Sequence, residues 1–208
     1  MAETVKPAET SALQEIVFPF EDEAAKDPSF TAFRKTLQEA VHKRDHKAII
    51  AMMDEHFKCS FEETGKENCI IFLGLDKNGK IELTGELFWD KMNDILKLGS
   101  SKTEAGVSIP YYFEHNPPVE DILTTGIITE KTMLQRKPRY TAHGLRDMKP
   151  YEVVTLRSVS SEGWQGVTTF DGIKGYVKQT KLYQFSTWRA FFAKVGGHWK
   201  MQFFLEGC

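Results

Sequence analysis

Phe30, Phe33, Leu37, Ala40 and Val41 recur at helical spacing, while Arg34, Lys35, Gln38 and Lys43 fall on the opposite face. Just before them stands Asp27-Pro28-Ser29. Asp is a good N-cap, and Pro is harmless at the first helical position because the N–H it lacks would have no partner there. The pattern predicts an amphipathic helix. Asp45 caps a second helix that buries Ala48, Ile49, Met52 and Met53 and runs to about His56-Phe57. Apolar runs at 68–75 and 80–84 then read as strands joined by the turn Asp76-Lys77-Asn78-Gly79. Leu87, Phe88, Met92, Ile95 and Leu96 give a further helix from Thr84, closed by Gly99, and an aromatic strand follows at 107–113.

From residue 127 the period changes. Short β-rich runs at 127–135, 151–159, 163–169 and 173–177 are separated by turn residues at Pro138, Gly144, Ser161-Glu162-Gly163 and Asp171-Gly172. Short strands at this spacing predict a small all-β unit. Segments 187–194 and 198–205 form a strong hairpin around Val195-Gly196-Gly197. A lone hairpin is marginal in water, so this one is expected to join the sheet of the first domain. The expected organisation is α+β: a flexible leader at 1–26, an α+β domain of helical hairpin and antiparallel sheet at 27–130 to which 184–208 returns, and a β-barrel lobe at 131–183.

The chain has 208 residues and a formal charge of −2, a balance that argues against a protein built to coat nucleic acid or an anionic membrane. Within residues 131–183, however, ten basic side chains face four acids, a net +6 that leaves −8 for the rest. Such a split suits either an anionic partner for the basic lobe or attraction between parts of one molecule. No window of about 18 apolar residues exists, so no helical membrane span is expected. MAETVKPAETSALQE has neither a basic start nor an apolar core and does not read as a signal peptide, although it resembles the segment left after signal removal.

Metal and cofactor signals are weak, and neither is expected. His42 and His46 are four apart, but Asp45 between them is a helix cap that takes them off one face. Asp76 to Gly79 fails as a calcium loop because the twelfth position would be Gly85 instead of a bidentate Glu. Cys59, Cys69 and Cys208 are too scattered for a zinc site. Cys59 and Cys69 flank a turn containing Gly65 and could face each other across a hairpin, as a bridge in an exported protein or as small core residues otherwise.

The ordered set Tyr151-Glu152-Val153-Val154-Thr155-Leu156, Gly163-Trp164, Asp171-Gly172, Gly175-Tyr176-Val177 and Leu182 resembles the bacterial SH3 (SH3b) domain family. Met133-Leu134-Gln135 stands where that family often has Asn-Val-Arg. Lys178 and Lys181 stand where eukaryotic SH3 domains place the Pro and Tyr that line a groove for proline-rich peptides. The loop carrying Arg139, His143, Arg146 and Lys149 is basic where those domains are acidic. Asp27-Pro28-Ser29-Phe30, Phe33, Arg189-Ala190, Phe192, Gly197 and Trp199-Lys200-Met201 are similar to a group of exported bacterial proteins that carry an SH3b unit. That resemblance implies a periplasmic or surface setting and supplies no catalytic residue; a cytoplasmic setting stays open. The first domain resembles the NTF2-like cone.

The leading expectation is a non-catalytic recognition or scaffolding protein. Tyr140, Trp164 and Tyr183 would present aromatic platforms, with Arg139, Lys178 and Lys181 as charge partners, to a cell-wall stem peptide, an anionic glycan or an acidic protein face. Trp164 and Tyr176 also read as plugs of a small barrel, the reading favoured for Tyr176. Two alternatives stand beside it. One is an NTF2-like pocket enzyme or small-ligand binder using Tyr111, Tyr112, Trp89 and His115 with Glu114 or Asp90 as base. The other is a structural lobe whose basic face the acidic remainder of the chain covers. Cys59-Ser60 lacks the Asp-Cys-Ser-Gly setting of the cell-wall peptidases that often carry SH3b units.

Overall fold

A computed structural model describes residues 16–62, 64–75, 85–115, 117 and 119–207. Its helices are α1 (Pro28–Lys43), α2 (His46–Met52), α3 (Lys66–Phe72) and α4 (Gly85–Ile95). Its first strands are β1 (Met53–Lys58), β2 (Ser101–Lys102), β3 (Val107–Ile109), β4 (Thr125–Ile128), β5 (Thr132–Gln135) and β6 (Gly144–Met148). The rest are β7 (Val153–Ser161), β8 (Trp164–Thr169), β9 (Lys174–Lys178), β10 (Leu182–Gln184), β11 (Trp188–Val195) and β12 (His198–Glu206). The fold is mixed α+β, with two large and mainly antiparallel sheets, neither of them closed. The chain divides into two compact units, Pro19–Ile122 with Phe185–Cys208, and Met1–Phe18 with Leu123–Gln184.

In the first unit the sheet order is β1-β12-β11-β3-β2, so the C-terminal hairpin supplies the centre of a sheet begun more than a hundred residues earlier. β12 runs parallel to β1 and antiparallel to β11, and β11 pairs with β3. The Asp27 carboxylate accepts from Ser29 N (3.0 Å), Ser29 Oγ (2.7 Å) and Phe30 N (3.2 Å), fixing the start of α1. Ser29 Oγ in turn accepts from Trp199 Nε1 at 3.0 Å. Phe30 packs edge-on to Trp199 (4.9 Å) and against Phe192 (5.7 Å), while Phe88 of α4 meets Phe204 at 5.1 Å. The DPSF and GxWKM motifs therefore stitch the first helix to the last hairpin. Lys200 Nζ adds a bond to the Ala51 carbonyl at 2.7 Å.

Several local expectations change. Residues 53–58 leave the second helix and become β1, because Met53 and Lys58 find strand partners in β12. Residues 66–72 form a helix where the run Cys69-Ile70-Ile71-Phe72 reads as a strand. Cys69 is buried while Ile71 and Phe72 are exposed, a helical distribution imposed by packing of α3 on β1. Cys59 and Cys69 are joined in a disulfide, with Cα atoms 5.5 Å apart, between the exit of β1 and α3 instead of across a hairpin. The aromatic strand is shorter than 107–113; after Ile109, Tyr111–Phe113 is a 3-10 turn. The turn at 76–79 and the strand at 80–84 lie outside the described residues.

The second unit has the strand order β10-β4-β7-β8-β9-β5-β6. Its main segment starts at Leu123, earlier than 131, because β4 pairs with both β7 and β10. The expected single run at 127–135 is two strands with different neighbours, since β5 pairs with β6 and β9. Ile128, Leu134, Met148, Val154, Val167 and Val177 form one fully buried cluster, with Leu145, Leu156, Ile173 and Leu182 packed on it. All seven strands thus feed one core although the sheet stays open, where a closed barrel was expected. For strands from both edges to reach one cluster the sheet must coil strongly. Gly175 permits a close crossing: a Cβ there would lie 2.7 Å from Leu134 Cδ1 and 2.8 Å from the Gln135 carbonyl oxygen.

Candidate functional site

Antiparallel register places Trp164, the first residue of β8, directly opposite Lys178, the last of β9. Gly163, with φ of +69°, makes the turn that brings the chain into β8 at this end of the sheet. The β5–β6 loop, residues 136–143, comes back to the same place. It is shaped by backbone bonds from Arg136 N to the His143 carbonyl (3.0 Å), Arg139 N to that of Lys137 (2.8 Å) and Ala142 N to that of Arg139 (3.1 Å). Tyr140 at its tip meets Trp164 edge-on, with ring centroids 5.3 Å apart at 67°.

The Lys178 ammonium stands over both rings, 4.3 Å from the centre of Tyr140 and 4.4 Å from that of Trp164. A cation in that position is attracted by the negative faces of both rings. Tyr140 is 76% exposed, whereas Trp164 is only 5% exposed, so the cluster offers the outer side of Tyr140 and the lysine more than the indole. Arg136, Lys137 and Arg139 are exposed on the same loop, and no ion pair engages them among the described residues. The result is a surface with three cations on the loop and a fourth in an aromatic corner.

The other expected ligand residues do not join it. Tyr183 is buried on β10, where it pairs with Ile127 of β4, and β4 and β7 lie between that strand and β8 in the sheet order. Lys181 forms an ion pair with Glu130. Arg146, expected in a basic loop, lies in β6, bonded to the 1% exposed side chain of Glu152 and 3.6 Å from Asp171. Lys131 is 3.7 Å from Asp147. Asp147, Glu152 and Asp171 are already subtracted in the +6, so of these pairs only that of Lys181 with Glu130 lowers it further. Arg136 and Lys137 entered the sequence reading only as charge. The run Arg136-Lys137-Pro138-Arg139-Tyr140 was the signal that could have singled them out.

In the other unit the residues considered for a catalytic pocket separate. Trp89 is buried against His46 and Phe88, both at 5.1 Å between centroids, and the His46 ring donates to the Leu75 carbonyl. Tyr111 stacks on His115 at 4.3 Å, and His115 Nε2 lies 3.3 Å from Glu23 Oε1. Burial, then the charges of Glu21 and Glu23, push the Tyr111 hydroxyl upward. Glu114 accepts from Ser108 Oγ at 2.6 Å, and Asp90 is exposed on α4. Trp89, the Tyr111–His115 pair, Glu114 and Tyr112, the last edge-on to Phe185, are thus each engaged with different partners. His42 is exposed on α1 while His46 is packed, and among the described residues no three of His, Cys, Asp and Glu gather as a metal site.

Compared with known proteins, the chain matches no family model, no curated protein and no solved structure.

Proposed function

We propose that the seven-stranded unit is an SH3b-like recognition module for an anionic, non-proline-rich ligand of the cell envelope, and that the protein is a binding or scaffolding component without catalysis. The observation that carries the reading is the loop 136–143, which projects Arg136, Lys137 and Arg139, without an ion pair among the described residues, beside the exposed Tyr140 and the Lys178 it holds. Cations left unpaired by their own fold are where an external acid gains most, and an exposed aromatic ring adds contact area for a peptide or sugar. Lysine in the aromatic corner argues against a polyproline ligand, which needs bare rings in a groove. The Cys59–Cys69 bridge supports an oxidising compartment, in keeping with a periplasmic or surface setting. Helices packed on one face of a five-stranded sheet support an NTF2-like reading of the supporting unit.

The test is retention of the full chain on purified peptidoglycan and on soluble poly-L-glutamate, with and without the triple reversal Arg136→Glu, Lys137→Glu, Arg139→Glu. Exposed charge contacts are individually weak, so the triple change is expected to cut affinity roughly tenfold or more. Wild-type retention should also fall as ionic strength passes about 0.15 M, where screening acts beyond about 8 Å. Retention that ignores both the reversal and salt, or no retention on either material, discards the proposal.

A further inference from the structure

A second site stands in the α+β unit, apart from the basic loop. Along β11 the side chains alternate: Trp188, Ala190 and Phe192 are buried toward the helices, so Arg189 and Phe191 face the other side of the sheet. There Phe191 stacks on Phe203 at 5.6 Å, and Phe113 meets Phe203 at 6.4 Å. Next to this aromatic row is a cavity of about 170 Å³, walled by Tyr112, Phe113, Ile122 and Phe185, with Thr187 and Arg189 as its polar members. Tyr112 and Phe185 are buried and hold each other edge-on at 4.7 Å, so that wall is rigid. The Arg189 guanidinium stands 4.5 Å over the ring of Phe113, which orients its plane.

We infer that this cavity binds a small aromatic carboxylate, with its ring among Tyr112, Phe113 and Phe185 and its carboxylate on Arg189. Among the described residues of the lining, Arg189 is the one charged side chain. A guanidinium has five donors and no acceptor, so it can take a carboxylate alongside the contacts it already makes. A neutral ligand would cover the cation with hydrocarbon and gain nothing from it, and a cationic ligand would be repelled. The volume sets the size, because pockets for larger ligands usually run from about 300 Å³ upward. Aromatic walls favour a ring that can meet them edge-on over an aliphatic chain.

The probes are 3-phenylpropionate and its neutral amide, titrated into the full chain and followed by calorimetry and by amide NMR shifts at residues 185–189. The acid is expected to bind at least about tenfold tighter than the amide, the difference a charge-assisted pair supplies over a neutral one. Arg189→Gln should remove that preference and Arg189→Lys should keep part of it. Ile122→Trp, which fills the cavity from a half-exposed position, should abolish binding of both probes. Equal affinity for acid and amide, no saturation by either at millimolar concentration, or undiminished binding in Ile122→Trp overturns the inference. Should Arg189→Gln not fold, the acid-to-amide ratio on the unaltered protein decides alone.

Discussion

The two sheets of this protein fill their cores with different side chains. In the seven-stranded unit the buried cluster is aliphatic, with Ile128, Leu134, Met148, Val154, Val167 and Val177 each from a different strand. Three of its aromatic residues stand outside that cluster and meet cations: Lys178 lies over Tyr140 and Trp164, and Arg157 is 6.0 Å from the centre of Tyr176. In the α+β unit the core itself is aromatic, built on Phe30, Phe88, Phe192 and Phe204, all fully buried. The difference follows from curvature. A small, strongly coiled sheet encloses little space, which β-branched and unbranched aliphatic side chains fill to the required density, whereas a ring would overpack it. Helices packed on the five-stranded sheet leave a gap that rings fill. The fully buried rings are thus framework in the α+β unit, whereas in the seven-stranded unit the exposed Tyr140 carries its ring to the surface.

Core truncation is the strongest way to break the comparison. Phe192→Ala removes a ring packed on both Phe30 and Phe33 and is expected to cost about 3–5 kcal/mol, against about 2–5 for Leu134→Ala in the aliphatic cluster. Urea midpoints give the totals. Hydrogen exchange should show each loss centred in its own unit, and loss spread evenly over both would mean that the cores are not separate.

Arg146→Met tests whether the seven-stranded unit depends on polar burial as well. It strands the buried Glu152 carboxylate, which otherwise accepts from Arg146 and from Lys149 N (3.2 Å), so a loss of about 3–5 kcal/mol is expected. Adding Glu152→Leu should restore most of it. If the double variant is no better than the single one, the pair is not the cause.

Reduction of Cys59–Cys69 sharpens the contrast from the other side, because the described cysteines lie in the α+β unit alone. The bridge closes a loop over a sequence separation of 10, for which chain entropy gives about 2–3 kcal/mol. Exchange protection should fall around β1 and α3 and hold in β7 to β9. Unchanged protection throughout would show that packing, not the bridge, holds α3.

The smallest effect expected is on acid stability. Asp27, bonded by Ser29 Oγ and the Phe30 and Ser29 amides and near Lys102, is held down to about 2 from 3.8. At Asp22 burial works against ionisation, but hydrogen bonds from Arg34 and Ser100, with the Arg34 charge, outweigh it and keep the carboxyl below its ordinary value. Both folded values lie below the unfolded ones, so their contribution is complete above the ordinary carboxylate range and fades as pH falls toward about 2. Asp27→Asn should flatten the urea midpoint between pH 4 and 2 relative to wild type. An identical slope would show that the cap does not titrate with folding.

Local chemistry alone determined the elements whose causes lie within a few residues. Asp27-Pro28 and Asp45 start α1 and α2 because a cap satisfies amides two or three residues on, and the apolar period of 28–43 needs no distant partner. The apolarity of 187–205 likewise demanded a sheet, since unpaired strands of that composition are unstable in water. Elsewhere two structures were equally compatible with the pattern, and distant partners chose. Residues 53–58 are a strand only because β12 arrives from the other end of the chain, and 66–72 a helix only because β1 and the bridge take Cys69 inward. Gly144-Leu145-Arg146-Asp147-Met148 alternates too weakly to announce a strand, yet β5 pairs with it. The candidate site divides in the same way. Its loop cations are legible in the run from Arg136 to Tyr140, whereas the placing of Lys178 over Trp164 and Tyr140 depends on hairpin register and loop return, and the loss of Lys181 and Tyr183 from the set on their neighbours across β4. Sequence spacing sets which side chains are near along one element, and only tertiary pairing sets which elements are neighbours.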